Sequence, residues 1–152
     1  MPASLPLPQT RLPFIDPQTK DLTEPWKRFL LALPVIVTGT YTPTLTGVTN
    51  VAASTAYVCQ YLRVGPMVTV SGRVSIDPTA GATLTQLGIS LPVPSAFTAA
   101  EQCGGAAAAS AVAGYSGSIL ADATNDRAEL AFTTGADVAN RVWGFSFMYQ
   151  VL

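Results

Sequence analysis

The chain of 152 residues contains no histidine. Without an imidazole, the usual Ser-His and Cys-His nucleophile pairs and the common His-based zinc sites cannot be built. Charge is scarce too: Asp, Glu, Lys and Arg make up 11% of the residues, against roughly a quarter in ordinary soluble domains. The eight basic residues are scattered among nine acidic ones and form no stripe that would track phosphates, so nucleic acid is not expected as a partner. Nor does any apolar run reach the roughly 18 residues of a membrane-spanning helix. The candidate from Phe29 to Val37 is short and interrupted by Pro34. The segment from Met1 to Pro17 has prolines at 2, 6, 8, 13 and 17 and no continuous apolar core, so it does not read as a signal peptide. Synthesis in the cytosol and no membrane insertion are expected. Cys59 and Cys103 are the only cysteines and are expected as buried free thiols.

The chemistry left open is thin. Glycan cleavage needs only two suitably spaced carboxylates, and Asp77, Asp122, Asp126 and Glu129 are available. The three aspartates, however, sit beside Pro, Gly, Asn or Thr, where their side chains bond local backbone. No catalytic residue is assigned. The Asp122, Asn125, Asp126 loop lacks the ligand spacing and glycine of a calcium loop, and Gly104-Gly105 does not open a helix that would cradle phosphate. No metal and no cofactor are expected.

What the sequence does hold is apolar and neutral. Hydrophobic types reach 49% and the mean hydropathy is +0.36. From Val35 to the end there are only ten charges, too few to cover an isolated domain. Much of that surface is expected to meet other protein. The net charge of -1 gives little protection against association, which suits a homo-oligomer or a part of a larger particle.

The chain length fits one domain and an appendage. Residues 1–34 form the appendage, a proline-rich arm whose first 20 or so residues are expected to be extended. A short helix is predicted at about 23–33. Trp26, Phe29, Leu30 and Leu33 fall on one stripe, Thr23 is placed to cap it, Pro25 is tolerated in the first turn and Pro34 blocks continuation. That stripe either docks on a neighbouring protein or packs on the chain's own strand domain.

From 35 to 152 the pattern is that of strands. Gly65-Pro66 is predicted as a two-residue hairpin turn, with Gly supplying φ > 0. Val68, Val70, Val74 and Ile76 share one face of the strand that follows. Strands are expected over Leu84 to Leu91, Tyr115 to Leu120 and Arg127 to Phe132. In the last strand, Arg141 to Val151, the face with Trp143, Phe145, Phe147 and Tyr149 is expected to be core. Cys103 to Gly117, rich in Gly, Ala and Ser, reads as either a loop or a small-residue strand. The tyrosines Tyr41, Tyr57, Tyr61 and Tyr115 are candidates to stack on sugars at loop tips, although core or interface packing is the more common role for each.

The strand region carries the stretches Thr38-Gly-Thr-Tyr-Thr-Pro-Thr-Leu45, Cys59-Gln-Tyr-Leu-Arg-Val-Gly65, Val68-Thr-Val-Ser-Gly-Arg-Val74, Leu87-Gly-Ile-Ser-Leu-Pro92, Asn125-Asp-Arg-Ala-Glu-Leu130 and Trp143-Gly-Phe-Ser-Phe-Met-Tyr-Gln-Val151. As a set they resemble the C-terminal β-domain of tailed-bacteriophage virion surface proteins, of the tail-fibre-like and head-spike kind. Leu5-Pro-Leu-Pro-Gln-Thr-Arg-Leu-Pro-Phe14 and the Trp26 helix are similar to the N-terminal anchors of phage particle proteins. The resemblance implies an all-β fold, an antiparallel, jelly-roll-like β-sandwich forming a homotrimer, in a virion protein made in the host cytoplasm. It implies anchoring to another virion protein of the tail, portal region or capsid through Leu5, Leu7, Leu12, Phe14, Trp26, Phe29, Leu30 and Leu33. The implied function is a short tail fibre or spike that contacts a host-surface glycan or protein. A head decoration protein that stabilises the capsid is the alternative, and a glycan-degrading depolymerase a lesser one. The chain departs from long fibres in having no heptads and no repeat-built shaft.

Overall fold

The computed structural model of the chain describes residues 13–31 and 33–152. The chain divides into two compact units, Met1–Val35 and Ile36–Leu152.

In the first unit one helix, α1 (Glu24–Leu31), forms within the predicted span. Thr23 precedes it, its carbonyl accepting from Lys27 N at 3.0 Å and its hydroxyl donating to the Pro13 carbonyl at 2.9 Å. The residues just before the helix depart from the expected extended arm. Asp16 closes a loop: its carboxylate accepts from Gln18 N at 2.8 Å and Thr19 N at 3.3 Å, and its own N–H donates to the Asp21 carbonyl at 2.8 Å. Ile15 is thereby bridged to Leu22. An aspartate that bonds backbone two and three residues on is a turn former, and here it outweighs the extended bias of Pro17.

The second unit is antiparallel β throughout. Its strands are β1 (Ile36–Tyr41), β2 (Leu45–Thr49), β3 (Val51–Ala56), β4 (Cys59–Val64), β5 (Met67–Pro78), β6 (Leu84–Ser90), β7 (Cys103–Ala109), β8 (Ser116–Asp122), β9 (Arg127–Thr133) and β10 (Arg141–Gln150). The expectation of an all-β fold holds. The expectation of two packed sheets is not matched in the pairing, because all ten strands join one sheet in the order β1-β4-β5-β10-β7-β8-β9-β6-β2, with β3 on β5. That sheet is a half-barrel.

The reason lies in the segment Leu45–Ala56. Its first half pairs with β6 and its second half with β5, so one stretch of chain reaches from the last strand of the order back towards the middle. The change of partner occurs at Asn50, whose φ is 55°. Asn tolerates this left-handed conformation better than most side chains. Its amide then fixes the bend: Nδ2 donates to the Ala80 carbonyl at 2.9 Å and Thr85 Oγ1 at 2.7 Å, and Oδ1 accepts from Ala80 N at 2.7 Å.

Alternation along the strands places the core. On β10, Trp143, Phe145, Phe147 and Tyr149 are buried, as expected, and share one core with Val68, Val70, Val74 and Ile76 of the neighbouring β5 row and with Leu87, Ile89, Ile119 and Leu130. Each such side chain contributes about 1.5–3 kcal/mol on burial. The Gly- and Ala-rich segment is a strand, β7, inserted between β10 and β8. A Cβ on its Gly105 would overlap Phe147 and the Ser146 carbonyl. Small residues there are what let the aromatic row of β10 lie flat beside its neighbour. The predicted hairpin joins β4 to β5, with Gly65 at φ 58°.

Candidate assembly surface

The residues that alternate with the core positions form the outer face of the sheet. On β10 these are Gly144, Ser146, Met148 and Gln150, and on β7 Gly104, Ala106 and Ala108, all exposed. Next come Gln60, Leu62 and Val64 of β4 and Ile36, Thr38 and Thr40 of β1, also exposed. None of them is charged. β5 adds Met67, Thr69 and Ser71 and a single cation, Arg73, whose guanidinium lies 4.5 Å from the Tyr57 ring centroid. Two shallow hollows of about 470 Å³ and 590 Å³ open on this face, both reached by Thr40, Gln60 and Ser71. Apolar side chains stand out from it: Leu62 is 42% exposed, Met67 43% and Met148 54%. A face this wide with almost no charge is unusual for a surface left in water and matches one that meets protein.

Further along the same sheet the outward positions of β8 and β9 are charged, at Asp122, Arg127 and Glu129, and these are tied to neighbouring side chains. Asp122 and Arg127 pair at 2.8 Å between β8 and β9. Burial alone would raise the Asp122 carboxyl, but hydrogen bonds from Asn125 and Arg127 hold it below its ordinary value. Asp126, at φ 47°, turns its carboxylate onto the segment that follows β6, accepting from Ser95 N and Phe97 N, each at 3.1 Å. Burial again opposes its ionisation and these backbone donors outweigh it, so its pKa is also lowered. Arg141 and Asp137 meet at 2.6 Å. Of the four carboxylates considered for a catalytic pair, Asp122 and Asp126 are engaged as described, and Glu129 accepts from Gln86 Nε2 at 2.6 Å. Among the described residues, no group of three or more His, Cys, Asp or Glu is placed to hold a metal ion.

The candidate tyrosines are half-buried and do not form one site. Tyr41 and Tyr61 meet edge to face at 6.3 Å and pack against the core. Among the described residues the buried Tyr41 hydroxyl has no hydrogen-bond partner, and burial pushes its pKa up. Tyr57 carries Arg73, and Tyr115 lies 5.2 Å from Arg141. Of the candidate anchors, Leu5, Leu7 and Leu12 lie outside the described residues. Phe14 packs on Trp26 at 5.2 Å and Trp26 on Phe29 at 6.0 Å. Phe14, Leu30 and Leu33 remain 50%, 41% and 47% exposed. The helix α1 buries no residue.

Cys59 and Cys103 are both buried and free. Burial raises each thiol, Cys103 to about 12, which disfavours the reactive thiolate. The neutral residues of β1, β4, β10 and β7 share a single face, and β1 ends the sheet order, neither of which the sequence alone displays. The uncharged strings Ile36–Tyr41 and Cys103–Ala109 were the available signal, but strand order was needed to put them on one surface.

Compared with known proteins, the chain matches no family model, no curated protein and no solved structure.

Proposed function

We propose that this chain is a structural, non-enzymatic assembly protein of a virus particle. In this account it is a bacteriophage short tail fibre or spike whose N-terminal unit fastens to another virion protein. Its β-domain forms a homotrimer and presents a host-contacting tip. The observation that carries the proposal is the wide, nearly charge-free outer face, which costs little to desolvate against a second protein surface. The exposed apolar side chains around α1 supply the anchor, and three linked anchors in a trimer bind with high effective concentration. In this reading opposite parts of the curled sheet close on the shared aromatic core as the two layers of a sandwich.

Head decoration is the second reading, favoured by the same neutral face, which would equally cover capsid subunits. Immunogold electron microscopy of virus particles with antibody to this chain separates the two. Label at the tail tip supports host recognition, label across the head supports capsid decoration, and an absence of label on particles removes the virion proposal.

A further inference from the structure

We propose that β1 pairs antiparallel with β1 of a second copy of this chain, across a twofold axis centred on Gly39. The inference rests on the reading of the chain as self-assembling and names where one contact forms. Among the described residues β1 pairs with β4 alone, so its other edge presents unpaired N–H and C=O groups. Edge strands are ordinarily guarded by a lysine, a proline, a bulge or an inward charge. Ile36-Val-Thr-Gly-Thr-Tyr41 has none of these, and its six pairs with β4 run without a register shift.

The chemistry of the strand selects a second copy as occupant. A twofold axis sets like beside like, so it tolerates no net charge at the edge, and β1 has none. The nearest cation on β4, Arg63, donates its Nε to the Gly65 carbonyl at 2.8 Å. A charged partner strand would find no counter-charge here. The sequence is also close to palindromic about Gly39. Pairing within one sheet brings residues of the same face together, so this centre sets Thr38 opposite Thr40 of the second copy on the outer face. Val37 then meets Tyr41 of the second copy on the inner face. Threonine pairs and aromatic–β-branched pairs are both favourable across strands. Gly39 meets Gly39 of the second copy, where the strands have least bulk. The Tyr61 ring covers each glycine from the inner side, since a Cβ there would come within 2.8 Å of it. Centring on Thr38 instead sets Val37 against glycine and loses the aromatic pair.

The five positions from Val37 to Tyr41 that fall opposite one another make about four to six backbone hydrogen bonds, so the contact alone is weaker than a standard interface of roughly 800 Å² per partner and depends on concentration. In a trimeric β-domain it joins two trimers. The test is the mass of the full chain by sedimentation equilibrium, for the wild type and two double variants. The wild type is expected as an even-numbered assembly, two or six chains. Thr38→Lys with Thr40→Lys sets lysine against lysine across the axis and is expected to lower the mass by half or more. Thr38→Lys with Thr40→Glu sets lysine against glutamate only in the Gly39-centred register and is expected to restore it. A wild type of one or three chains, a Lys/Lys variant of unchanged mass, or a Lys/Glu variant as small as the Lys/Lys variant overturns the proposal. Circular dichroism of both variants checks that the fold is kept. A trimer unmoved by either change, with particles still labelled by antibody, removes the edge pairing and leaves the virion proposal standing. The expected masses without any particle label do the reverse.

Discussion

Asp126 offers a direct check on how the β-domain holds its longest irregular segment. The carboxylate ties the stretch after β6 to the β8–β9 turn through two backbone N–H groups at 3.1 Å. Asp126→Ala leaves both donors without that acceptor. At about 1–3 kcal/mol for each unsatisfied buried partner, with water replacing part of the loss, the expected destabilisation is about 2–4 kcal/mol. Asp126→Asn keeps one acceptor oxygen and is expected to cost about half as much. The pH dependence has a definite sign. The folded pKa lies below the ordinary value of 3.8, so the folded state binds this proton less readily than the unfolded chain. The stabilisation is therefore fully present above the unfolded pKa and is lost as pH falls through the lowered folded one. Urea unfolding of the β-domain followed by near-ultraviolet circular dichroism, at pH 7 and at successively lower pH below 4, measures both effects. The gap between wild type and Asp126→Ala should narrow across the acid range. An Asp126→Ala midpoint equal to wild type at pH 7, or a gap that widens on acidification, refutes the reasoning.

Three further outcomes are expected. Gly72 lies under Cys59, whose Sγ a Cβ would overlap, so Gly72→Ala should lose about 1–3 kcal/mol by overpacking; adding Cys59→Gly should recover part of that, as read by thermal unfolding. Asn50→Ala removes three hydrogen bonds and puts a less tolerant residue at φ 55°, and chemical denaturation should show a loss of about 2–4 kcal/mol. Cys59 and Cys103 should resist a thiol reagent at pH 8 in the folded protein and react in denaturant; rapid labelling of the folded chain would contradict their burial.

Much of the fold was legible because the central strands, β10 and β9 above all, alternate buried and outward residues. The aromatic row Trp143, Phe145, Phe147, Tyr149 and the valines of β5 announce their buried face, and Gly65-Pro66 announces its hairpin. Two kinds of feature were not legible. Asn50 looks like an ordinary turn residue, and only the pairing shows that it passes one strand from β6 to β5, which joins all ten strands into one curled sheet. The run Cys103 to Ala109 carries almost no side-chain signal, because its role is to leave room for Phe147. Likewise Asp16 overrode the extended bias of the prolines around it through hydrogen bonds that no composition reveals. The neutral surface was foreshadowed by the lack of charge after Val35, but its location depends on strand order.

The proposed assembly buries the nearly charge-free outer face of β1, β4, β5, β10 and β7 between protein chains. Ser146 stands exposed near the middle of that face, on β10, opposite Ser71 and Ala106 of the flanking strands. The most direct measurement is light-scattering mass of the full chain beside its Ser146→Glu variant. The account predicts a wild-type homo-oligomer and a variant of smaller mass with unchanged circular dichroism, because the new charge must be desolvated to reform the contact. A wild type that stays at the mass of one chain at high concentration, or a variant that assembles as well as the wild type, contradicts it.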